Sequence, residues 1–213
     1  MSGFFITFEG PDGVGKTTQL NLLAKYFKQK GMKVRCTREP GGTAIGGKIR
    51  NLLLDPAHKG MSARTEALLY MADRAQHVSE VIVPALAGGE VVISDRFADS
   101  TIVYQGAARK LNGKDLAMIN DFAAQGVTPD LTILLDGEVR LLSKRLAGRG
   151  GHDRIEQENY AFHLAVRQGF LDRAAAEPQR IKVVPSGIDI SEVHQKVVGI
   201  VEKFLVEGAG HED

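Results

Sequence analysis

The sequence predicts an α/β fold, a five-stranded parallel sheet with helices on both faces. Three observations carry this prediction. Short apolar strands alternate with helical segments along the whole chain, the order that gives parallel strands joined by helical crossovers. A glycine-rich loop, Gly10-Pro11-Asp12-Gly13-Val14-Gly15-Lys16-Thr17, lies between the first strand and the first helix. The chain has 213 residues, 43% hydrophobic and 25% charged, enough for one domain with a substantial core and short for two.

Taken in order, Phe4 to Glu9 reads as a buried strand. Thr17 to Gln29 is helical, with Gly31 just past its end as a stop signal. Lys33 to Arg38 is the second strand, and Thr43 to Leu54 the next helix, ended by Asp55-Pro56. Ser62 is placed to cap a long helix from Ala63 towards Leu86, with Pro84 in its last turn as a kink or stop. After the Gly88-Gly89 turn, Val91 to Ser94 is the third strand. Leu116 to Gln125 is helical, Leu131 to Leu135 the fourth strand, and Val139 to Ala147 a helix broken by Gly148-Arg-Gly-Gly151. Tyr160 to Glu177 is helical, Ile181 to Val184 the fifth strand, and Ser191 to Val206 the closing helix, followed by a tail at 207–213 expected to fray.

Composition excludes several classes. The net charge of +1 gives no global field towards nucleic acid or membrane, so an anionic ligand needs a local basic site. No apolar run reaches membrane-spanning length, and the N-terminus enters a strand without a signal-peptide pattern. A single cysteine, Cys36, rules out an internal disulfide and suits a reducing, cytoplasmic setting. It follows a strand-like run and reads as an inert core thiol. No histidine has a partner at metal-ligand spacing, so no zinc site is expected.

The glycine-rich loop matches G-x-x-x-x-G-K-[ST] in the context its physics requires, a strand before and a helix after. Glycines let the backbone turn its N–H groups inward to phosphate oxygens, and the helix N-terminus adds positive charge. The reading assigns residues 10–18, with Thr18, to ATP, with Lys16 on the β- and γ-phosphates and Thr17 on Mg²⁺. The third strand ends Asp95-Arg96. Asp95 is placed to hold the metal through water and Arg96 to grip a phosphate in fork geometry; on its own the pair reads equally well as a salt-bridged strand end. The alternatives open at this point are a kinase for another nucleoside monophosphate, a deoxynucleoside kinase, or a non-catalytic nucleotide-operated regulator. The base-reading N-K-x-D motif of guanine switches is not found.

Five segments together resemble the thymidylate kinase family of the bacterial kind, within the P-loop nucleoside monophosphate kinases. They are the phosphate loop with Asp12, Arg38-Glu-Pro-Gly-Gly-Thr43, Leu68-Leu-Tyr-Met-Ala-Asp-Arg74, Asp95-Arg-Phe97 with Tyr104-Gln-Gly106, and Asp153-Arg-Ile-Glu156. The resemblance implies transfer of the γ-phosphoryl of ATP to dTMP with Mg²⁺, by a homodimer. It places Asp12 near the sugar 3′-hydroxyl and Arg38, Arg50 and Arg96 around the dTMP phosphate. It places Tyr70 on the thymine face, Arg74 at thymine O4, Thr101 and Gln105 on the base edge, and Tyr104 near the sugar C2′. Glu39-Pro40 resembles a segment that carries a cis peptide in relatives. Glu39 and Asp99 receive no catalytic role.

Some relatives carry an arginine immediately after the loop Asp, where this chain has Gly13. The resemblance then assigns the transition-state cation to a mobile, basic lid at about 148–159, within one kinase domain spanning 1–206; Arg149 or Arg154 is the candidate.

Overall fold

The computed structural model describes residues 3–148, 153–187 and 189–209. Five strands, β1 (Phe4–Glu9), β2 (Val34–Arg38), β3 (Val91–Asp95), β4 (Leu131–Asp136) and β5 (Ile181–Pro185), form one sheet. Its order is β2-β3-β1-β4-β5, and every pairing is parallel.

Alternation along the strands fixes the layers. Ile6, Phe8, Ile93, Ile133 and Leu135 point to one face. There they pack on Leu20, Leu23 and Phe27 of α1 (Lys16–Gln29) and on Val193, Val197 and Val201 of α9 (Ile190–Ala209). Phe5 and Val92 point the other way, onto Val78, Ile82, Phe97 and Ala124. Leu134 on that second face meets Val103, Val166 and Phe170. The carrying elements there include the turn that follows α3 (Ala63–His77), together with α6 (Gly113–Ala124) and α8 (Tyr160–Ala176). The register aligns Arg38 and Phe8 with Asp95 at one level of the carboxyl edge, where ligands bind in such sheets.

Several expectations are corrected. The long helix from Ala63 is not uniform: α3 passes into a π-turn at Val78–Ile82 before α4 (Val83–Ala87). Pro84 therefore neither ends nor breaks the run, because the wide turn before it absorbs the missing N–H and the ring. The stretch after Arg96 forms α5 (Ala98–Thr101) and a second π-helical segment, Ile102–Ala108. Nothing in the hydrophobic pattern announced it. α9 continues to Ala209, past the expected start of the frayed tail. Cys36 is exposed rather than in the core, because β2 is an edge strand with one open side. Partial burial still pushes its thiol upward, so it is a weak nucleophile. The Ser62 cap is present, its hydroxyl accepting from Thr65 N at 3.1 Å, and Thr43 likewise caps α2 (Ala44–Leu54).

Candidate active site

The phosphate loop leaves β1 through three left-handed glycines, Gly10, Gly13 and Gly15. At Gly10 a side chain is impossible, since a Cβ would lie 2.3 Å from Leu135 O. Val14, buried in the core, pins the loop from beneath. No side chain caps the first turn of α1, so its N–H groups are left for an anion. Lys16 is 7% exposed and folds back over the loop, donating to Gly10 O at 3.1 Å and Pro11 O at 2.9 Å. Burial first, then Arg96, pull its ammonium down to about 8, against Asp95, Asp12 and Glu9. A bound polyphosphate reverses that balance. Thr17 Oγ1 donates to Asp95 Oδ2 at 2.6 Å. This pair of hard oxygens beside the loop fits Mg²⁺, which keeps several waters and takes its remaining ligands from phosphates.

Arg96 sits just past β3 at φ 72, a strained position for a residue with a side chain. It is locked there by its N–H to Phe8 O and by Ser94 Oγ donating to its carbonyl. Its guanidinium fork turns inward. NH1 donates to Gly10 O and Ser100 Oγ, and NH2 to Asp12 Oδ1 at 2.6 Å and Tyr104 OH at 3.0 Å. The fork geometry expected for a phosphate is thus occupied by protein acceptors, which leaves the positive charge of Arg96 bordering the phosphate cavity. Tyr104 OH in turn donates to Asp12 Oδ2 at 3.0 Å. Burial would raise the Asp12 carboxyl, but Arg96 and Lys16 outweigh it and hold it well below the usual carboxylate range. Behind this pair, Glu9 accepts from Phe97 N and Ser100 Oγ; burial and then Asp99 push it up to about 7.

Next to the phosphate cavity lies a second cleft, lined by Tyr70, Arg74, Thr101, Tyr104 and Gln105 among others. Asp12, Glu39, Arg50, Arg96 and Asp153 border both cavities. The Arg74 guanidinium is 1% exposed and stands 5.1 Å from the Phe97 ring centroid. Its Nε donates to Glu39 Oε2 at 2.9 Å, NH1 donates to Thr101 Oγ1 at 3.0 Å and to Asn120 Oδ1, and NH2 pairs with Glu39 at 2.7 Å. Glu39 is also bonded to His77 Nδ1, whose Nε2 meets Thr37 Oγ1. The Glu39-Pro40 peptide is cis. Asp73 Oδ1 accepts from Gly41 N at 2.9 Å and ties the same segment down; burial, then Glu39, push this carboxyl up to about 6. Tyr70 is half-buried at the cleft, and burial raises its phenol.

Of the remaining predicted residues, Arg38 is exposed at the end of β2 and lines the phosphate cavity. Arg50 donates to Pro40 O at 2.9 Å and lines both cavities. Arg149 lies outside the described residues. Arg154 is buried against the back of the acceptor cleft, donating to Leu53 O at 2.8 Å and pairing with Glu66 at 2.6 Å. In this conformation it is committed there and does not line the phosphate cavity. On the other flank of the loop, Gly15, Thr18, Arg145, Ser186 and Ile190 border a further cavity.

Sequence reasoning missed Glu66, Ser100 and Asn120. Glu66 carried a signal, since 66, 70 and 74 fall on one helical face at i, i+4 spacing. Ser100 and Asn120 carried none, because tertiary packing alone brings them to Arg96 and Arg74.

A phosphate loop abutting an arginine-bordered acceptor cleft on a parallel sheet defines a P-loop nucleotide kinase. The model of one family, described as thymidylate kinase, matches residues 8–197. The chain is 46% identical to the thymidylate kinase of Pseudomonas syringae pv. tomato over 96% of its own length and 98% of that protein's. It is 47% identical to that of Lactobacillus delbrueckii subsp. bulgaricus, over 97% and 99%. Its fold matches the crystal structure of thymidylate kinase from Ehrlichia chaffeensis with a TM-score of 0.78 and 35% identity, covering 95% of this chain and 100% of that one. The chain belongs to the thymidylate kinase family.

Proposed function

We propose that this chain transfers the γ-phosphoryl group of ATP to dTMP, giving dTDP and ADP, as its family membership indicates. The observation that carries this reading is the shared border of the two cavities. Asp12, Arg50 and Arg96 stand where a donor γ-phosphate on the loop and an acceptor phosphate in the cleft would meet. Two polyanions repel unless cations separate them. Lys16, Arg38, Arg50 and Arg96 supply those charges from four different points of the carboxyl edge. Mg²⁺ would be held by Thr17, with Asp95 acting through water, and would screen the β- and γ-phosphates.

In this reading the chain needs no general base, because the attacking dTMP phosphate oxygen is already ionised at neutral pH. Asp12, held ionised by Arg96, is free to accept from the sugar 3′-hydroxyl. Tyr104, fixed between Asp12 and Arg96, packs where a ribose 2′-hydroxyl would intrude. Tyr70 stacks on the base while Arg74, Thr101 and Gln105 face its edge. The segment 148–159 acts as a lid; with Arg154 engaged by Glu66, Arg149 is the arginine assigned to the transferred group. Leu68, Met118 and Phe122 are 58%, 67% and 85% exposed on α3 and α6, which pack side by side. We assign this apolar face to a second copy of the chain. Among the described residues no helix is long and apolar enough to cross a membrane.

The test is a ³¹P NMR time course with ATP, Mg²⁺ and dTMP. The reading expects ADP and dTDP to appear in equal amounts, with no ADP when dTMP is omitted. ADP without dTDP would refute it.

A further inference from the structure

We propose that Glu66 is a positioning residue that sets which pyrimidine the acceptor cleft takes. Its buried carboxylate holds the Gln105 carboxamide with the NH₂ turned away from the cleft, so that Oε1 is the atom offered to the base edge. The proposal rests on the reading above in which Gln105 faces the base.

Glu66 and Gln105 are each 1% exposed, and Gln105 Nε2 donates to Glu66 Oε1 at 2.8 Å. Gln105 lines the acceptor cleft and Glu66 does not, so Glu66 acts through Gln105. An amide in a protein ordinarily has two orientations of similar shape. Here the partner decides between them. An ionised carboxylate is acceptor-only, and turning the amide over would set its oxygen against a carboxylate oxygen at hydrogen-bond distance. Glu66 is kept ionised: Arg109 donates to it at 3.1 and 3.2 Å, and Arg154 pairs with it at 2.6 Å. Burial would raise its pKa, but these partners and Gln105 bring it below the usual value.

The consequence is a donor–acceptor code. Arg74, fixed by Glu39 in the same manner, presents N–H. Gln105 presents a carbonyl oxygen. Thymine offers O4 as an acceptor beside N3–H as a donor, so both positions are satisfied. Cytosine offers an amino group where O4 would be and a bare N3, so both positions clash or go unpaired. A site built to hydrogen-bond one edge rejects the edge that leaves its buried groups unpaired.

The experiment measures kcat/KM for dTMP and dCMP in the wild type, Glu66→Gln, Arg109→Met and Gln105→Met. In Glu66→Gln the new amide can donate as well as accept, so Gln105 can turn over. The dTMP-to-dCMP ratio is expected to fall at least tenfold, chiefly through improved use of dCMP. Arg109→Met breaks another bond to the same carboxylate but leaves Arg154 paired with it, so Glu66 stays ionised and Gln105 stays in place; its ratio is expected to stay within about twofold of wild type. An unchanged ratio in Glu66→Gln, or an equal relaxation in Arg109→Met, would overturn the proposal and leave Glu66 a structural strut. If Gln105→Met also keeps the ratio, the base-edge reading of Gln105 is what fails; if Gln105→Met relaxes it and Glu66→Gln does not, the Glu66 proposal alone fails. Should Glu66→Gln not fold, the Gln105 side-chain NH₂ resonances of the wild type decide. Slow exchange, maintained in the dTMP complex, supports the proposal, and a freely rotating amide overturns it.

Discussion

Replacing Lys16 by Met should make the ligand-free protein more stable while abolishing its activity. The native ammonium titrates at about 8 instead of its ordinary 10.5, so keeping it charged at pH 7 costs the fold about 3 kcal/mol. Met has a similar length and no charge to desolvate. Against that gain stands the loss of the bonds to Gly10 O and Pro11 O. Gly10 O keeps its bond from Arg96, so one carbonyl is orphaned, at about 1–2 kcal/mol. The net expectation is about 1–2 kcal/mol of added stability at pH 7, or a rise in Tm of about 2–8 °C for a chain of this size. The pH dependence gives a second handle. Between about 8 and 10.5 the unfolded wild type holds the Lys16 proton and the native one does not, so wild-type stability rises with pH across that window. The gap between variant and wild type should therefore narrow at pH 9.5. Circular-dichroism melts at pH 7 and 9.5, with ADP release in parallel, check both parts. A variant that melts below the wild type at pH 7, or a gap that does not narrow, would refute the reasoning, as would retained turnover.

Other perturbations follow from the same geometry. Arg149→Ala should lower kcat by about 10³ with dTMP affinity nearly intact; a loss under tenfold in single-turnover assays would remove the lid arginine from the mechanism. Arg154→Met should instead destabilise the fold by about 3 kcal/mol, because it leaves Glu66 short of one buried partner, while kcat falls less than tenfold; chemical denaturation and steady-state kinetics separate the two. Phe122→Asp should convert a dimer to a monomer in sedimentation velocity at micromolar concentration, and a wild type already monomeric there would contradict the assigned face. Glu9→Gln should change the pH profile of stability. The native Glu9 carboxyl holds its proton up to about 7, against an ordinary 4.5, so wild-type stability should fall relative to the variant as pH rises between those values. Parallel urea midpoints for the two proteins would contradict it.

The sheet was legible because its signals are local. Five short apolar runs lie between helical segments, and the phosphate loop sits at the one strand–helix junction that gives it meaning. The helix cap at Ser62 was legible for the same reason. What could not be read is where geometry departs from the regular period. The π-turn before Pro84 and the π-segment from Ile102 to Ala108 shift the side chains after them by a fraction of a turn. Edge position is also invisible in sequence, which is why Cys36 was placed in the core. In the site, the residues directed at a ligand stood out through charge at strand ends or through family resemblance. Their supports did not. Asn120 reaches Arg74 from 46 residues away, and Ser100 reaches Arg96 only because the strained backbone at Arg96 turns its guanidinium back over the loop. Glu66 was within reach, one helical turn before Tyr70, but a glutamate on a helix is ordinarily a solvated charge, and its burial is a tertiary fact.

The central claim is that the cleft beside the phosphate loop takes a pyrimidine monophosphate and distinguishes thymine by its edge and its sugar by Tyr104. Its most direct test is kcat/KM measured by coupled ADP release with ATP and Mg²⁺ against dTMP, dUMP, dCMP, UMP, GMP and thymidine. The account predicts the highest value for dTMP. It puts dUMP about 10–200-fold lower, for the missing methyl group, and expects thymidine to be inactive because it lacks the phosphate that the arginines hold. A higher value for any other monophosphate, or turnover of thymidine comparable to that of dTMP, would contradict it.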